Sequence, residues 1–225
     1  GLSSSEAFLS ALEACAAHIQ RSELKVSQAG VFWLQTDPAQ GCNTLWHLSE
    51  QGAVRIGPDQ LGIRSRVNGY GGGAAAVCSD GVFLVGEDQQ IRLVGLADGE
   101  CTRLTGDPDA TFGGLVADEA RQRVLAVREA HGQQQLVAVS LQGELTVLHY
   151  GQDFYSAPAI SADGKQLAWI SWQLPDMPWV RTRLWTAEVS GDGLLSQCRA
   201  WPTPSEASVQ QPVFDGSQLW VLSDH

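Results

Sequence analysis

Histidine, cysteine, serine and paired acids are the residue types here that could do chemistry, and their spacing decides what they can do. The five histidines are His18, His47, His131, His149 and His225, and none forms an HExxH or H-x₃-H pair. The five cysteines, Cys15, Cys42, Cys78, Cys101 and Cys198, are odd in number and include no CxxC. They read as free thiols of a reducing compartment rather than a disulfide or zinc framework. A serine hydrolase of the α/β type holds its nucleophile on a G-x-S-x-G turn. That pentapeptide is absent, and Ser161, Ser171 and Ser217 sit in turn or strand contexts. Gly71-Gly72-Gly73 lacks the Lys-Ser/Thr of a phosphate loop. Neither a catalytic centre, a metal nor a cofactor is expected from these patterns.

The densest constellation is Trp169-Ile170-Ser171-Trp172-Gln173-Leu174-Pro175-Asp176-Met177-Pro178-Trp179, followed by Trp185. Trp169 and Trp185 read as core. Trp172, Met177 and Trp179 fall in a long loop, where large apolar groups either pack on another domain or line a cavity.

The elements that position these residues are short strands. Five apolar runs look alike: Val31–Leu34, Val82–Val85, Val124–Val127, Leu167–Ile170 and Leu219–Leu222. Their starts are 51, 42, 43 and 52 positions apart, the period of four-stranded propeller blades. Asp80-Gly81, Asp163-Gly164 and Asp215-Gly216 precede three of them, chemistry suited to tight hairpins. Small-residue segments such as Ala74–Val77 and Gly113–Val116 precede the runs and suit the crowded axis. The fold expected is all-β, a partial β-propeller of about four and a half blades behind a short N-terminal helix. The helical segment covers 1–23 and the blades 24–56, 65–104, 109–148 and 154–201, with a fifth begun over 208–225. A blade of two strands would leave open edges that favour self-association, and further chain beyond residue 225 is expected.

The formal charge is −11, from 25 acids against 14 bases, which repels a phosphate backbone and argues against nucleic acid as a partner. No apolar run reaches the ~20 residues of a membrane helix. A cytoplasmic location is expected.

Three stretches carry a resemblance. Arg64-Ser65-Arg66-Val67-Asn68-Gly69-Tyr70-Gly71-Gly72-Gly73 resembles the RSRVHEYGGG segment of bacterial prolyl oligopeptidase family serine peptidases, the dipeptidyl aminopeptidase or acylaminoacyl-peptidase type. Ser161-Ala162-Asp163-Gly164 through Trp169, Trp172 and Met177-Pro178-Trp179 to Leu184-Trp185 is similar to that family's SPDGxxLAW…NMPW…LW stretch. Glu206-Ala207-Ser208-Val209-Gln210-Gln211-Pro212 is similar to its ESVxQP segment. Asn68 and Gly69 stand where the family has His and Glu, and Leu174 where it has a His.

The resemblance implies a propeller that gates access of short peptides to a C-terminal α/β-hydrolase domain. That domain and its triad would lie outside this chain. The resemblance further implies that Arg66, Tyr70, Trp172, Met177, Trp179 and Glu206 face the substrate cavity or the domain junction, with propeller packing as the competing role. A non-enzymatic, TolB-like propeller that binds a protein partner is the alternative. A propeller lactonase would need convergent acids and an Asn around the axis, where this sequence offers small apolar residues.

Overall fold

The computed structural model describes residues 21–27, 30–37, 42–49, 52–57, 62–63, 67, 73–173, 181–201 and 208–224. The expected N-terminal helix over 1–20 lies outside them. The described residues form mostly strands, with 3₁₀ geometry at Val67 and a 3₁₀ turn at Glu119–Arg121. The strand order is that of a partial β-propeller of four-stranded antiparallel blades.

Blade 1 is β1 (Arg21–Ser27), β2 (Gly30–Asp37), β3 (Cys42–Ser49) and β4 (Gly52–Ile56), hydrogen-bonded in that order. Its first strand starts at Arg21, three residues before the boundary expected from sequence. Blade 2 is β5 (Ala75–Val77), β6 (Gly81–Val85), β7 (Ile91–Gly95) and β8 (Cys101–Arg103). Blade 3 is β9 (Ala110–Asp118), β10 (Arg123–Ala130), β11 (Gln133–Ser140) and β12 (Leu145–His149). In blade 4 the innermost place is shared by β13 (Phe154–Tyr155) and β14 (Ala159–Ile160), both paired with β15 (Gln166–Gln173). Then come β16 (Arg181–Val189) and β17 (Leu195–Trp201). Pro158 interrupts this inner strand, since proline brings no N–H to the ladder. The fifth sheet has two described strands, β18 (Ser208–Asp215) and β19 (Gln218–Asp224).

The five apolar runs are the second strands of these sheets. In blades 2 to 4 they are continuous rather than alternating because each blade is sandwiched between neighbours, so both faces of a central strand are covered; in the fifth sheet Trp220 is exposed. Val82 to Val85 are all buried, as are Val124 to Val127 and Leu167 to Ile170. One face of β10, Val124 and Ala126, packs towards blade 2, and the other, Leu125 and Val127, packs towards blade 4. The outermost strands are exposed: all three residues of β8 and the first three of β12.

Near the axis the blades approach through glycine. Gly73, at φ +73°, passes so close to Gly114 that a β-carbon on it would lie 2.6 Å from the Gly114 Cα. A β-carbon on Gly114, at φ +60°, would lie 3.1 Å from the Ala157 Cα. The Leu115 N–H donates to the Gly73 carbonyl at 2.9 Å, fixing the approach.

On the face that carries the first-to-second-strand turns, the 3₁₀ turn of blade 3 reaches both neighbours. The Ser79 N–H of blade 2 donates to the Glu119 carboxylate. Arg121 Nη1 donates to the Gly164 carbonyl of blade 4 at 2.6 Å. Asp118, 1% exposed, holds both arginines of the turn, accepting from Arg123 Nε at 2.9 Å and pairing with Arg121 at 3.4 Å. Removing one partner of a buried pair leaves an uncompensated charge. Because Arg121 and Arg123 keep some access to water, at 20% and 11% exposed, Asp118→Ala should lower stability by about 1–3 kcal/mol, read as a shift in the urea midpoint.

Candidate functional site

The second-to-third-strand connections and the blade-to-blade crossovers share the opposite face. The first motif stretch follows β4. Of the second, Ser161–Gly164 forms the turn into β15 on the first-to-second-strand face, and Trp169, Trp172 and Trp185 stand on β15 and β16. Of the third, Ser208–Pro212 lies on β18. The motif residues outside these elements, Val67 and Gly73 apart, fall in connections outside the described residues. Arg66, Tyr70, Met177, Trp179 and Glu206 lie outside the described residues. Trp172 is described: it is half-buried on β15, paired across the sheet with Phe154 and Thr182. Val67, between Arg66 and Tyr70 in sequence, is 5% exposed and belongs to the core of blades 3 and 4 with Leu125, Tyr155 and Trp169. Val67 thus brings one residue of the first motif into the cluster that holds Trp169 of the second.

Buried amides hold the crossovers. Gln90, 1% exposed, donates to the carbonyls of Asp107 (2.8 Å) and Ala110 (3.1 Å) and accepts the Asp107 N–H (3.1 Å). Gln134, 3% exposed, accepts the Tyr155 N–H at 2.9 Å and donates to Glu129 at 2.8 Å. Gln90 supplies both donor and acceptor to the backbone that leaves blade 2 and enters blade 3, whereas Gln134 accepts from the backbone entering blade 4 and donates to the Glu129 side chain. Arg128 grips Asp107 at 2.7 Å and holds its carboxyl below the usual range. Between the β10–β11 turn and the blade 3 to blade 4 crossover lies a cleft of about 280 Å³, lined by Gln133, Gln134, Tyr150, Gln152 and Asp153 among others.

Behind this cleft is an aromatic cluster. Trp169 and Trp185 stack with ring centres 5.9 Å apart and planes 3° apart, as their pairing on β15 and β16 dictates. His149 lies against both, at 5.0 and 4.7 Å. Its Nδ1 is 2.8 Å from the Tyr155 hydroxyl. Ser171 accepts from Trp185 Nε1 at 2.9 Å and donates to Gln152 Oε1 at 3.0 Å. Trp169 Nε1 has no hydrogen-bond partner among the described residues. Burial pushes the Tyr155 phenol up to about 12 and the His149 imidazole below its ordinary value.

The serines and histidines weighed from sequence fall as follows. Ser161 Oγ donates to Asp163 within its own turn and accepts the Gln166 N–H, so its hydroxyl is spent on the hairpin. Ser217 lies in the β18–β19 turn. His47 stacks on Phe32 at 4.4 Å, and His131 occupies a left-handed turn position at φ +53°. His18 and His225 lie outside the described residues. Among the described residues no group of three or more His, Cys, Asp or Glu side chains could hold a metal. No described helix is long and apolar enough to cross a membrane. Sequence reasoning passed over His149, Tyr155, Gln134 and Gln152, which meet only where two blades do.

The chain is similar to a puromycin-hydrolyzing peptidase of Mycobacterium tuberculosis, at 25% identity over 92% of this chain and 36% of that one, with a TM-score of 0.78. It is also similar to a puromycin hydrolase, at 24% identity over 93% of this chain and 36% of that one, with a TM-score of 0.79. A putative TolB from Agrobacterium tumefaciens is similar in fold alone, at 14% identity over 76% of this chain and 60% of that one, with a TM-score of 0.51. No protein-family model and no curated protein matches the chain. The chain spans about a third of the length of the peptidases it matches. Strand order and blade period agree with these likenesses: the chain has the propeller architecture of the puromycin-hydrolyzing peptidases it is similar to.

Proposed function

We propose that this chain is the propeller part of a serine peptidase and that it gates and shapes access of short peptides or amino-acyl amides to an α/β-hydrolase domain outside it. The observation that carries the reading is the 25% identity to a puromycin-hydrolyzing peptidase over nearly the whole chain. On this reading Arg66, Tyr70, Trp172, Met177, Trp179 and Glu206 look towards the junction between propeller and hydrolase domain. Peptides longer than the gate admits are excluded by size. The protein works in the cytoplasm without cofactor, and neither nucleic acid nor membrane is its partner.

The test compares the 225-residue chain with protein that includes whatever its gene encodes beyond it, on puromycin and on chromogenic aminoacyl and dipeptidyl amides. The longer protein should turn them over and lose activity to a serine reagent, while the chain alone should be inactive. Serine-reagent-sensitive turnover by the chain alone would overturn the assignment. So would a longer protein without turnover, which would favour the TolB-like binding role. For the isolated chain we further propose self-association through open strand edges, because β19 pairs with β18 alone among the described strands.

A further inference from the structure

We propose that the cleft between blade 4 and the fifth sheet binds a zwitterionic dipeptide with apolar side chains. Its volume is about 340 Å³, and it is walled by β15, β16 and β17 on one side and by β18 and β19 on the other. Gln166 and Leu219, which line it, lie just after first-to-second-strand turns, so the cleft stands apart from the crossovers.

Strand register places two opposite charges in this cleft. Arg199 pairs across the sheet with Thr186, and Glu188 stands two residues further along β16, so the three share a face. Diagonal neighbours of this kind are about 7–8 Å apart. The register shift between Thr186 and Glu188 puts a bulge on β17, where Gln197 takes a left-handed φ of +50°. Arg199 does not close on Glu188. Its guanidinium carbon lies 3.8 Å from the centre of the Trp201 ring, and Trp201 Nε1 donates to the Thr186 hydroxyl at 2.7 Å. Neither charge makes an ion pair among the described residues. A guanidinium stacked on an indole keeps its N–H edge for a carboxylate, and Glu188 can accept from an ammonium group.

The rest of the lining fits the body of such a ligand. Phe214 and Leu219 pair across the fifth sheet, on the face opposite to the exposed Val213 and Trp220, and with Trp201 they make an apolar wall. Gln166 and Gln197 add neutral donors and acceptors, the complement of a peptide group. A lone anion would meet Glu188 as well as Arg199, and a lone cation the reverse, so a ligand bearing both charges is favoured over either. Two residues of extended chain span about 7 Å, which matches the diagonal between the two side chains, and a single amino acid spans about half of that. The site is built from this chain alone and does not depend on a hydrolase domain.

The experiment is an NMR titration of the full chain with leucyl-leucine, read at the Trp201 indole N–H and the Gln166 and Gln197 side-chain amides. These signals should shift saturably while the Trp169 indole N–H stays in place. N-acetyl-leucyl-leucine and leucyl-leucine amide should each bind about tenfold more weakly, since each gives up one charged contact. Glu188→Gln should remove the advantage of the free dipeptide over its acetylated form, and Arg199→Gln its advantage over the amide. Both residues are exposed, so the two variants should keep the core signals of the native chain. The absence of a saturable shift at Trp201, equal binding of the free and blocked dipeptides, or variants that still tell them apart would each overturn the site. Peptide turnover by a longer protein is a separate readout, so failure here leaves the peptidase reading standing, and failure there leaves this site standing.

Discussion

Adding a single methyl group at Gly73 should lower stability by about 2–5 kcal/mol, from a left-handed backbone strain of about 1–2 and overpacking of about 1–3. The β-carbon of Gly73→Ala would stand 2.6 Å from the Gly114 Cα and 2.7 Å from its nitrogen. Both are backbone atoms, so no side-chain rotation relieves the contact. The Leu115 N–H bond to the Gly73 carbonyl resists the alternative of moving the strands apart. Gly99→Ala is the matched control: its φ is +68°, but nothing lies within 4 Å of the added carbon. It should lose only the backbone part, about 1–2 kcal/mol. Urea midpoints of the two variants measure the difference. Equal losses would mean that blades 2 and 3 do not meet at these glycines.

Trp169→Ala should be comparably severe, about 3–5 kcal/mol. The side chain is fully buried, stacked on Trp185 and packed with Leu125, Leu136 and Val127 across the seam. Trp169→Phe separates shape from polarity. It gives up part of the ring but also removes a buried N–H that has no partner among the described residues, itself a penalty of about 1–3 kcal/mol. The Phe variant should therefore lose less than about 1.5 kcal/mol. A Phe variant as damaged as the Ala variant would show that the indole N–H is satisfied in solution.

The blades were legible because their period and their burial have one cause. A strand covered on both faces must be apolar at every position, so Val82–Val85, Val124–Val127 and Leu167–Ile170 stand out against alternating or polar neighbours. The Asp-Gly hairpins were legible for a similarly local reason, since Asp163 caps its own turn through the Ser161 hydroxyl and the Lys165 N–H. The site was less legible. Gln90 and Gln134 are buried polar residues with no period to reveal them, and the crossover backbone they bind is 17 to 21 residues away. His149 looked like one more isolated histidine, because the residues that give it a role lie on another blade. Val67 was quoted only as part of a motif, yet its side chain sits in the core of blades 3 and 4. Of the six residues that the resemblance puts at the cavity or junction, Trp172 alone falls among the described ones, half-buried near the end of its strand.

The turn at Glu119–Arg121 belongs to three blades at once, through Ser79 on one side and Gly164 on the other. In a stack where each repeat touches only its neighbours, damage to one seam stays at that seam. Here a protease cutting within these three residues would release two seams in one event. Blades 2, 3 and 4 would then lose protection against further digestion together, and the early fragments would not be single blades.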